Sequence, residues 1–149
     1  MPALEITMQG MPDFDKAVQA YRDLRPQIVR KLGRQLEWEV RESIRQSGIN
    51  DAHGKVQSWQ QVRYGSGGGY AAVSAARGKT GPDSPGAITN YLESGHKTRR
   101  PSGTAEHYRP RINKTRTTAY GFYRSSKSKA DQLTRNAALE VEQKLAGVL

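Results

Sequence analysis

The chain has 149 residues, enough for one domain with its own core, yet only 35% are hydrophobic, against about 45–50% in soluble domains on a count that includes glycine. The absence of cysteine excludes disulfides, thiolate zinc sites and cysteine nucleophiles, and fits a reducing compartment. No run of about 18 apolar residues is present to span a membrane, the start MPALEITMQG lacks the pattern of a secretory signal, and 24 Lys+Arg against 14 Asp+Glu leave a net charge of +10.

Residues 3–9, ALEITMQ, place Leu4, Ile6 and Met8 on one face and Glu5 and Thr7 on the other, which predicts a half-buried strand ended by Gly10. Met11-Pro12-Asp13 then opens a helix: proline suits a first turn, and Asp13 and Asp15 suit its positive end. Phe14, Val18, Tyr21 and Leu24 recur at helical spacing, and Pro26 breaks or restarts the helix. Beyond it Ile28, Leu32, Leu36, Val40 and Ile44 repeat at i+4, the strongest helical signal in the chain. The mixed charges on its other faces read as a solvated surface. Trp38 lies off the stripe and marks either an interface or plain packing.

After a loop at Ser47 to Asp51, residues 56–64 and 70–76 read as the two strands of a long hairpin joined by Gly65 to Gly69. A phosphate-binding loop needs Gly-Lys-Ser/Thr and a helix after its glycines. Here Tyr70 and small residues follow, so no phosphate site is read there. Residues 77–87 form a Gly/Pro-rich loop, and Ile88 to Leu92 a short strand or helical turn. Residues 96–114, with Pro101, Gly103 and Pro110, make an extended arm or a long ordered loop. Thr115 to Tyr123 can form a strand, and Ser128 with Asp131 resembles a capping box before a last helix marked by Leu133, Ala137, Val141 and Leu145. The expected fold is α+β: an antiparallel sheet packed by a long N-terminal helix pair and a C-terminal helix, with a long extended basic loop. It forms one domain over residues 1–149, with 1–93 and 118–149 as scaffold and 94–117 as the arm.

The charge is not evenly spread. Ten Lys/Arg and a single acid, Glu106, lie between Ser94 and Lys129, leaving 14 basic and 13 acidic residues for the rest. A field of one sign over one third of the chain attracts polyanions or an acidic protein surface; a solubilising charge would be mixed and dispersed. The residues expected to contact a partner or DNA are Lys97, Arg99, Arg100, Arg109, Arg111, Lys114 and Arg116. Glu93, Gly95 and His96 are expected to fix the turn that launches the arm.

Glu93 and His96 stand three apart, but Gly95 and the Pro/Gly-rich tail argue against the continuous helix that a Glu-x-x-His metal site requires, and no second pair matches it. No nucleophile elbow or Ser/His/Asp set appears. The chain is therefore read as neither an enzyme nor a cofactor or metal protein. Tyr108, Tyr120, Phe122 and Tyr123 interleave with arginines as in single-strand binding, which keeps a basic nucleic-acid-binding module as the alternative.

Four segments carry a family likeness: ITMQGMPDFDKAV, IVRKLGRQLEWEVRESI, YLESGHKTRRPSG and GFYRSSKSKADQLTRNAALEVEQKL. In their order and spacing the chain resembles the neck and tail-completion proteins of long-tailed bacteriophages, the head–tail joining family that includes minor tail proteins of lambda-like phages. The resemblance implies a structural virion protein, present as a homo-oligomeric ring, hexameric in the particle. Its neighbours there would be the tail tube, the tail terminator or the head connector, and packaged DNA would lie close by.

Overall fold

The computed structural model of the protein describes residues 11–98 and 116–148. It is α+β, dominated by helix α1 (Met11–Gln46) and helix α4 (Phe122–Ala146). Between them come helix α2 (Lys55–Trp59), strand β1 (Gln60–Tyr64), a 3₁₀ turn (Ser66–Gly68), strand β2 (Ala71–Ala75) and helix α3 (Pro85–Ser94). β1 and β2 form a two-stranded antiparallel sheet, with Gln60 opposite Ala75 and Tyr64 opposite Ala71. The strand expected over residues 3–9 lies outside the described residues.

α1 is one helix, not the pair that Pro26 implied. An interior proline leaves the Arg22 carbonyl without its donor and costs about 3 kcal/mol or more. The apolar stripe nevertheless runs on through it, with Ile28, Val40 and Ile44 buried. The hairpin tip also seats on the same spot. Arg25 Nη2 donates to Gly67 O at 3.1 Å, and a Cβ on Gly68 would stand 2.9 Å from Pro26 Cβ. The glycine run joining the two strands is thus a tight turn against α1.

Gly33, in the middle of α1, has the same purpose on the sheet side. A Cβ there would lie 2.7 Å from the Tyr64 ring and 2.8 Å from Val62. Mid-helix glycine costs roughly 0.5–1 kcal/mol relative to alanine, but here it lets the hairpin approach closely, and Tyr64 Oη donates to Arg30 O at 3.2 Å.

Residues 55–59 are helical where a strand was expected. The Asp51 carboxylate accepts from Val56 N at 3.0 Å and Gln57 N at 3.1 Å, satisfying amides that begin a helix. Ile88 to Leu92 lies within α3, whose Ser84 cap accepts from Ala87 N at 3.2 Å. The strand expected over 115–123 is replaced by an isolated bridge at Arg116, and α4 begins at Phe122, six residues before Ser128.

α4 runs antiparallel along α1: Glu140 pairs with Lys31 at 2.7 Å, while Ser125 and Lys129 lie near Ser43 and Gln46. The core gathers Val40, Ile44, Val56 and Phe122, with Trp59, Val73, Leu92 and Tyr123 against them. Among the described residues, the polar Gln60 side chain is fully buried inside it. Gln60 Nε2 donates to Val56 O at 3.1 Å and lies 3.5 Å from Thr89 Oγ1, and its Oε1 accepts from the Tyr123 hydroxyl.

Candidate docking surface at the base of the basic segment

α3 ends at Gly95, where φ is 66° and a Cβ would stand 2.6 Å from Thr117 O. The chain leaving α3 therefore runs hard against the chain returning to α4. Thr117 N donates to His96 O at 2.9 Å, and His96 N donates to Thr117 Oγ1 at 2.9 Å. The Thr117 hydroxyl also lies 2.9 Å from His96 Nδ1. The His96 ring packs at a tilt on Tyr91, with centroids 4.8 Å apart. One residue further out, Lys97 and Arg116 are partners in an antiparallel bridge.

Below this bridge the two helices satisfy each other. The last carbonyls of a helix lack intrahelical donors, and its first amides lack acceptors. Leu92 O and Glu93 O accept from Tyr120 N at 2.8 Å and Gly121 N at 3.1 Å. In return the Glu93 carboxylate accepts from Tyr123 N at 2.9 Å and Arg124 N at 3.2 Å. Gly121, at φ 61°, supplies no side-chain cap of its own, so Glu93 caps α4 from another helix. Burial, and then the Glu93 charge, push the Tyr123 hydroxyl up to about 12, which keeps it protonated as the donor to Gln60.

Both ends of the basic segment are thereby held at one point. Lys97 and Arg116 are exposed, and residues directly opposite in an antiparallel pair project from the same side. Arg77 and Lys79 line a cleft of about 490 Å³ beside Glu93 and Tyr123, which adds positive charge near the base. Trp38 is 61% exposed. It borders a groove between α1 and α4 with Glu39, Glu42 and Tyr120.

Of the residues singled out from sequence, the structure brings together Glu93, Gly95, His96, Lys97 and Arg116. Arg99, Arg100, Arg109, Arg111 and Lys114 lie outside the described residues. The Glu93 carboxylate is engaged by two amides and the His96 Nδ1 by Thr117. Sequence reading missed Thr117, which forms half of the clamp from 21 positions away. No local pattern marks a hydroxyl whose partner is that remote. No protein-family model, curated protein or solved structure matches the chain.

Proposed function

We propose that this is a structural assembly protein of a tailed-phage particle, joining head to tail at the neck as part of a homo-oligomeric ring and docking through its basic segment. The observation that supports this reading is the clamp, with Lys97 opposite Arg116 at its mouth. Like charges placed directly opposite repel, so the base of the segment is stabilised by whatever anion covers it. An acidic patch on a tail tube, tail terminator or head connector protein supplies that charge, and so does packaged DNA. The segment between the clamped ends carries Arg99, Arg100, Arg109, Arg111 and Lys114 against one acid. Concentrating these cations between two fixed points suits docking better than solubility.

The test is charge reversal at Arg99 and Arg100 in the assembling particle. Heads and tails are expected to accumulate unjoined, while the purified variant keeps the thermal transition of the wild type. Infectious particles at normal titre would sink the reading.

The same like-charge pair favours a second reading, a basic nucleic-acid-binding module, and salt separates the two. Affinity carried by about six phosphate contacts falls by ~10³ or more between 50 and 200 mM salt. A protein–protein ring with mixed apolar contacts persists across that range.

A further inference from the structure

Among the described residues, the apolar stripe of α1 is longer than what covers it. Phe14, Val18, Tyr21, Arg25, Ile28 and Leu32 are spaced alternately by four and three, the heptad spacing of a helix–helix seam. From Ile28 and Leu32 onward α4 covers the seam through Leu133 and Ala137. Glu140 sits against Lys31, so Ala146, the last residue of α4, lies opposite about residue 25 by the antiparallel 1.5 Å rise. The hairpin tip ends at the same level, on Arg25 and Pro26. Residues 11–24 therefore project about 20 Å beyond both. Phe14 is 65% exposed there and Tyr21 42%.

We infer that residues 14–25 of α1 pair antiparallel with the same residues of a second copy, in a two-fold seam built on Phe14, Val18 and Tyr21. Charge selects this occupant and this direction. Asp15 and Arg22 each follow a seam residue by one position and sit seven apart. Both are exposed, and among the described residues neither side chain has an ion pair. Setting Val18 opposite Tyr21 of the second copy brings Asp15 beside Arg22 of that copy, and Arg22 beside its Asp15. Phe14 then meets the aliphatic stem of the opposite Arg25, whose guanidinium stays on Gly67. A parallel, in-register pair would instead set Ala17 against Arg22 and form no ion pair. The seam thus complements itself, as a two-fold contact must. It does not depend on the proposed function: two-fold pairing closes at two copies, whereas a ring needs a head-to-tail contact made elsewhere on the surface.

The experiment is sedimentation equilibrium on the full chain at low salt, over a range of concentrations. The wild type is expected to show a monomer–dimer equilibrium. D15R and R22D each replace two attractive pairs with two repulsive ones and should weaken the dimer by about tenfold or more. The D15R/R22D double variant should regain it. An equimolar mixture of the two single variants should form a heterodimer that neither forms alone. This rescue also controls for the loss of a favourable acid near the helix N-terminus. A wild type that stays monomeric throughout overturns the proposal. So do single variants that associate as the wild type does, and a double variant that fails to recover. A closed ring indifferent to both reversals would overturn the seam while leaving the neck reading in place.

Discussion

At the scale of single residues, Glu93 ties the two sides of the candidate docking surface together. Its carboxylate satisfies two amides that begin α4 while its backbone carbonyl holds Gly121. Glu93→Ala should cost about 2 kcal/mol, the loss of an N-cap made by a charged acceptor. Urea denaturation monitored by circular dichroism would measure it, and hydrogen exchange should rise first at Tyr123 and Arg124. Tyr123 gives a second reading, through pH. Its hydroxyl is raised to about 12, mainly by burial, from an ordinary value of 10. The neutral form is favoured by folding, so its stabilisation is complete below pH 10 and is lost as pH rises from about 10 towards 12. Tyr123→Phe should remove that alkaline loss. At pH 7 the same variant should cost about 1–3 kcal/mol, because Gln60 Oε1 is left buried without a donor. Melting the two proteins at pH 7 and pH 11 separates the effects, and equal alkaline losses would show that Tyr123 is not the titrating group.

At the scale of elements, the fit of the hairpin on α1 is set by Gly33. Gly33→Ala places a methyl within 3 Å of Tyr64, Val62 and Ala71, so the usual helix gain of alanine should reverse into a loss of about 1–3 kcal/mol through overpacking. A variant as stable as the wild type in the same denaturation would mean the sheet shifts at little cost. The long helices were legible because their signal is periodic and local: the stripe from Ile28 to Ile44, and Leu133, Ala137 and Val141 in α4. The hairpin was legible from its glycine turn and alternation. Part of what escaped was decided by partners distant in sequence. α4 begins at Phe122 because the Glu93 carboxylate, 30 positions before Tyr123, caps it. Local rules looked for that cap at Ser128. The start of the hairpin was misread as strand because Asp51, five residues upstream, turns 55–59 into helix. Pro26 marks a local defect that a continuous buried stripe overrides. The close approach of Gly95 to Thr117 could not be read from the sequence.

At the scale of the whole molecule, the clamp stands at the α4-start end of α1, and the seam left open by the described residues stands at the other. The proposed basic docking point and the proposed self-complementary face are thus separated by most of a 36-residue helix, about 54 Å long at 1.5 Å per residue. Occupying one need not obstruct the other. On the proposed function, the basic end also carries a conflict between stability and binding. Lys97 opposite Arg116 is a pair that folding alone would not select, since like charges directly opposite destabilise an antiparallel pair. Lys97→Glu turns it into an attractive pair. The variant should therefore be more stable by roughly 0.2–1 kcal/mol at low ionic strength, with the gain shrinking as salt screens both charges. Yet it should bind the proposed acidic partner or DNA more weakly, having lost a cation and gained an acid at the mouth of the clamp. Paired urea titrations at low and high salt, set beside a binding titration on the same two proteins, measure both sides. A variant that loses stability and affinity together would show that Lys97 supports the clamp itself. A gain in one with a loss in the other would show that the repulsion is retained for the sake of the partner.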